Sequence, residues 1–163
     1  MGITSLGYQI VWATLASRSD LDVRRLFTDQ GDPPHRRCDL FGLSLSWELD
    51  GPVLLDLLED QGIPIWSEQR TDTDPVVFGG GPVLTANPEP LAPFFDVILL
   101  GDGEELLPTF IDALQAVRDE PRAELLPTSA LLLHRRLRLQ IIDNNCDWRK
   151  AAARCQILNG AEA

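Results

Sequence analysis

The sequence predicts an α/β fold: a doubly wound, mostly parallel sheet with helices between its strands. Three observations lead there. Short apolar runs at DLFGLSLSW, PVVFGGG and VILLGD have the length and flanks of strands buried on both faces. Segments of helical period alternate with them. Glycine clusters close two of the runs, where an α/β sheet turns its chain from strand to helix.

Taken in order, GITSLGYQIVWATLASRSD places Leu6, Ile10, Val11, Ala13, Thr14 and Leu15 at near-helical spacing, with Thr4 or Ser5 as the cap, predicting a helix over 6–17. LDVRRLFTD, with Leu21, Val23, Leu26 and Phe27 around a charged pair, predicts a short edge strand. GDPPHRRC is a loop by its glycine and paired prolines. CDLFGLSLSWE predicts a strand covered on both faces. After a turn at Asp50 and Gly51, PVLLDLLEDQG predicts a helix with Pro52 at its first position, an apolar side of Val53, Leu54, Leu57 and Leu58, and Gly62 as its stop. IPIW reads as a further short strand, PVVFGGGP as a strand ending in glycines, EPLAPFFD as a helical turn and VILLGD as a buried strand. Leu106, Leu107, Phe110, Ile111, Leu114 and Val117 then carry the most regular helical period of the chain, over 104–118.

With 163 residues, 44% of them hydrophobic, the chain can bury one core. Its net charge of −11 and single lysine, Lys150, argue against nucleic acid as a partner. The charge is uneven. Residues 1–124 hold 22 acidic and 8 basic residues, and 125–163 hold 3 acidic and 6 basic. The longest apolar runs fall far short of the roughly 20 residues of a membrane span. Neither a secretory leader nor a disulfide framework is legible, since Cys38, Cys146 and Cys155 are odd in number and irregular in spacing. A cytoplasmic setting is therefore expected. No CxxC or CxxxCxxC spacing marks a metal site, and His35 and His134 have no visible nucleophile to serve.

Two readings stand for the glycine clusters. Gly79, Gly80 and Gly81 let backbone N–H groups approach a ligand, yet GGGPVLTANP lacks the Lys and Ser or Thr of a phosphate loop, and spacing alone favours a tight turn before Pro82. Asp102 lies between Gly101 and Gly103, followed by Glu104 and Glu105. These carboxylates can cap a helix and complement its dipole, or hold Mg²⁺ in a small acidic enzyme. Ser44 and Ser46 share one face of their strand and either satisfy neighbouring backbone or meet a ligand. A self-standing α/β module binding a small nucleotide-like ligand is a further reading.

The ordered stretches SLGYQIVWATLA, RRLFTD, DLFGLSLSWELD and PVVFGGGPVLTANPEPLAPFFDVILLGDGEELLPTFIDAL resemble the N-terminal region of radical SAM proteins that begin with a cobalamin (B12)-binding-like domain, over about residues 2–122. The resemblance implies a Rossmann-like accessory domain over 1–122, beginning just after the first strand of the family's sheet, and a divergent tail over 123–163. It implies that Gly79, Gly80 and Gly81 correspond to the loop beside the nucleotide tail of cobalamin. Ser44 and Ser46 then match the strand-end serines, and Gly101, Asp102, Gly103 and Glu104 a GEGE-type turn. The DxHxxG loop that would supply an axial histidine is not found. The barrel that carries a [4Fe–4S] cluster and cleaves S-adenosylmethionine is not found either. The implied product is a fragment, truncated or frameshifted near residue 122, whose partner is the parent radical SAM domain or a small-molecule ligand, with neither nucleic acid nor membrane as partner.

Overall fold

Among the described residues, strand β2, Val76–Gly80, lies in the middle of a three-stranded parallel sheet, between β1 (Leu40–Ser44) and β3 (Val97–Ile98). The computed structural model describes residues 6–26, 38–117, 119, 121 and 122. The predicted loop over 31–38 lies almost wholly outside these residues, as do Phe27, His35, His134, Cys146, Cys155 and the tail over 123–163. All pairings are parallel: Leu40 is opposite Val76 and Ser44 opposite Gly80, while Phe78 and Gly79 face Val97 and Ile98. Parallel strands need crossover connections. Helix α2 (Gly51–Asp60) supplies the first and the short α3 (Pro82–Ala86) the second; α1 (Leu6–Ala16) precedes the sheet and α4 (Gly103–Ala116) follows it.

Alternation along β2 sorts the core into two layers. Val76 and Phe78 join Val97 and Leu99 against Leu106, Leu107, Phe110, Ile111 and Leu114 of α4, with Val11 and Leu15 of α1 packed on that layer. Val77 and Ile98 face the other way, towards Leu54, Leu58, Leu84 and Phe95. The rings of Phe78 and Phe110 meet at 5.2 Å with a 57° tilt, an arrangement that adds about 0.5–1.5 kcal/mol to their area burial. The predicted α/β fold, a parallel sheet with helices on both faces, is thus the one observed.

Four local expectations need correction. β1 is not covered on both faces: Gly42 and Ser44 are exposed and its three apolar residues half-buried. Its position at the edge of the sheet is the reason. Residues 21–26 form no strand, because Leu21 packs against the α1–α4 layer and donates its N–H to the Arg18 carbonyl. IPIW forms none either. Gly62, at φ 64°, and Ile63 close α2 instead, the Gly62 N–H donating to the Glu59 carbonyl and the Ile63 N–H to that of Leu58. These are the two bonds of a Schellman motif, whose apolar residue after the glycine packs back on the helix; Ile63 shares a core layer with Leu58. Val53 of α2 is exposed, whereas Leu54 and Leu58 are buried.

An ion cluster on the surface ties α1 to α4. Arg18 donates to Asp20 and, at 2.7 Å, to Asp112, while the Gln115 amide donates to Asp20. The hydrogen bond from Arg18 holds the Asp20 carboxyl below the usual carboxylate range, with that from Gln115 acting in the same direction. A lowered folded-state value stabilises the fold above the unfolded value near 3.9 and loses that contribution as pH falls. Stability is therefore expected to decline on acidification below about pH 4. Substituting Asp20→Asn should flatten that limb, by less at high salt, in urea titrations across pH.

Candidate functional site

The register aligns the carboxyl ends of the three strands on one edge, and the predicted site residues gather there. Ser44 ends β1 opposite Gly80, which ends β2; β3 runs through Leu99 into Gly101–Glu104. Ser46 lies two residues beyond β1 and, like Ser44, is exposed. Asp102 stands at the N-cap of α4 with its side chain making no cap hydrogen bond, and Glu104 lies in the first turn. Carboxylates there favour the helix through its dipole. Asp102 and Glu104 are both exposed.

Each glycine of the first cluster answers to its neighbours. Gly79 is buried, and a Cβ at that position would stand 2.4 Å from a Phe95 ring carbon and 2.8 Å from a Leu84 methyl. Gly81 has φ +107°, and its Cβ would meet the Leu45 carbonyl oxygen at 2.6 Å. That conformation sets up α3, with Gly81 at the N-cap and Pro82 next, where a missing N–H costs nothing. The Gly80 carbonyl accepts from Leu45 N–H and the Gly79 carbonyl from Leu99 N–H. In the second cluster, Gly101 has φ +129° and Gly103 packs beside Val11. Space opened by the missing side chains at 79 and 81 is therefore taken up by protein atoms.

The electrostatics of this edge are one-sided. The charged residues that directly follow the strands, Glu48 and Asp50 after β1 and Asp102, Glu104 and Glu105 after β3, are all acidic. Apolar side chains stand among them, with Trp47 65% and Leu49 85% exposed. No three His, Cys, Asp or Glu side chains among the described residues are grouped to hold a metal ion, so the Mg²⁺ reading gains no geometry. The strand order β1-β2-β3 is sequential, so the reversal that opens a ligand crevice in doubly wound sheets is not formed by the described residues. An open depression of about 450 Å³ lined by Gly62, Ile63, Trp66 and Gln69 lies beyond the end of α2.

A second constellation, not legible as a site in the sequence, lies at the opposite, amino ends of β2 and β3. Asp96, 3% exposed, accepts from Val77 N–H at 2.7 Å and from Arg70 Nη1 at 3.0 Å, and pairs with Arg122. Arg70 also donates to the carbonyls of Pro64, Ile65 and Phe94. Burial pushes the Arg70 pKa down and Asp96 opposes that; a guanidinium keeps its proton regardless. The only hints in the sequence are an isolated arginine in an acidic stretch and an aspartate directly before an apolar run. Arg25 stacks on the Trp12 ring at 4.2 Å. Cys38 is exposed.

No helix among the described residues is long and apolar enough to cross a membrane. No curated protein and no solved structure matches the chain. A family profile does match, over residues 8–132, running ten residues past Arg122 and spanning well over half of the sequence. That profile is described as radical SAM proteins, N-terminal, and the chain belongs to this family.

Proposed function

We propose that the chain serves as the N-terminal accessory domain of a B12-binding-domain-like radical SAM protein and carries no catalytic centre of its own. The observation that supports the reading is the family match over residues 8–132, which takes in the whole sheet and α2–α4. Membership implies a [4Fe–4S] cluster and S-adenosylmethionine in the parent family. In our reading that chemistry belongs to the parent domain, in a reducing, cytoplasmic setting.

Cobalamin, the ligand implied by likeness to B12-binding domains, is a poor fit to the described edge. Phe95, Leu84 and the Leu45 backbone fill the space that would bring a ligand against Gly79 and Gly81. The carboxylates that follow the strands would repel the phosphate of a nucleotide tail. We therefore read Ser44, Ser46, Gly80, Gly101, Asp102, Gly103 and Glu104 as the edge that faces the parent domain, with Gly79 and Gly81 shaping it from beneath.

Titration of the full chain with hydroxocobalamin, followed by visible absorbance, is expected to leave the spectrum unchanged. Anaerobic reconstitution with iron and sulfide is expected to give a chain that does not cleave S-adenosylmethionine. A saturable spectral change would restore the cobalamin reading; cleavage of S-adenosylmethionine would overturn the accessory one.

A further inference from the structure

Asp96 binds two arginines that are not equivalent. Arg70 is wholly buried and spends its remaining donors on Pro64, Ile65 and Phe94, carbonyls of segments that belong to the core. Arg122 reaches the same carboxylate oxygen with its side chain 10% exposed, from the stretch that follows α4. Its other bonds to described residues go to one short loop: the Arg122 N–H donates to Asp72 Oδ1 at 2.9 Å, Nη1 to the Asp74 carbonyl at 3.1 Å and Nη2 to the Pro75 carbonyl at 3.2 Å.

We propose that Arg122 is a detachable latch that docks the chain following α4 onto the 72–75 loop, while Arg70 is the permanent counter-charge that keeps Asp96 neutralised when the latch opens. Breaking a buried ion pair is costly when it leaves a charge without a partner. Withdrawal of Arg122 leaves none, because Asp96 retains Arg70 and the Val77 N–H. Withdrawal of Arg70 would strip a donor from three carbonyls as well. The vacated cradle, one carboxylate and two carbonyls, suits the planar fork of a guanidinium and suits an ammonium poorly. The latch thus fixes residue 122 against the 72–75 loop, ahead of the stretch over which the family match continues.

Hydrogen exchange on the full-length protein tests this. In Arg122→Ala the amide at position 122, which still faces Asp72, should exchange about tenfold faster or more, while the amides of Val77 and Leu99 in the sheet keep their protection. Arg122→Lys should fall between Ala and wild type. Unchanged exchange at 122, or equal loss of protection in the sheet, would each overturn the proposal.

Discussion

Gly81→Ala is expected to lower stability by about 3–5 kcal/mol, enough to unfold much of the population of a marginally stable domain. Two costs add. The backbone at φ +107° is a conformation that an L side chain adopts only under strain of about 1–3 kcal/mol. The new methyl would also stand 2.6 Å from the Leu45 carbonyl oxygen, and overpacking of this kind costs about 1–3 kcal/mol. The neighbour cannot yield cheaply, because it is backbone: Leu45 N–H donates to Gly80 and its carbonyl accepts from Val83. Gly80→Ala provides the control. Its Cβ would find only the Leu99 carbonyl at 3.4 Å, in an unstrained strand conformation, and a change within about 1 kcal/mol is expected. Urea unfolding of the two variants beside wild type measures the difference. If Gly81→Ala unfolds with wild-type stability, the glycine is not there for the fold, and close approach of a ligand becomes the better account of it.

The elements that could be read from the sequence are those where one period or one residue type decides. β2 is apolar at successive positions because both faces are covered, and Leu106, Leu107, Phe110, Ile111 and Leu114 repeat every three to four residues because one face of α4 is covered. Gly62 was legible as a stop because a left-handed residue after a helix is commonly glycine. Where apolar residues serve something other than a strand, periodicity misleads. Ile63 looks like the start of a strand and packs back on a helix end; Leu21 looks the same and packs on the core layer of α4. α3 is too short for a helical period to show, its five residues following three glycines, although Pro82 in its first turn is a start signal.

The candidate edge divides along the same line. That Ser44, Gly80 and Gly101–Glu104 come to one side of the sheet follows from parallel strands ending in the same direction, which alternation of strand and helix already implies. What surrounds the glycines does not follow. Phe95 is distant enough in sequence that its position over Gly79 appears only when β2 and β3 are paired. The same holds for Arg70, Asp96 and Arg122, which are separated by 26 residues each and meet only after the sheet has formed.

That meeting gives the other large effect: Asp96→Ala should destabilise the protein by about 3–5 kcal/mol, the usual cost of leaving a buried charge uncompensated. Arg70 would keep its three carbonyls but lose the carboxylate that pairs with it among the described residues, and the Val77 N–H would lose its acceptor near the start of β2. Asp96→Asn isolates the charge from the hydrogen bonds, since an amide oxygen can still accept from Val77. It should therefore be destabilised less than the alanine variant, and the gap between them measures the orphaned N–H at about 1–3 kcal/mol. Because Arg70 and Asp96 are screened by protein rather than by solvent, neither loss should depend much on ionic strength, in contrast to the Arg18–Asp20 cluster on the surface. Urea unfolding of both variants at low and high salt separates the cases. A loss below about 1 kcal/mol in Asp96→Ala would mean that water reaches the cluster. Arg70 would then not be held in a dry interior, and the distinction between a permanent and a detachable arginine would fall with it.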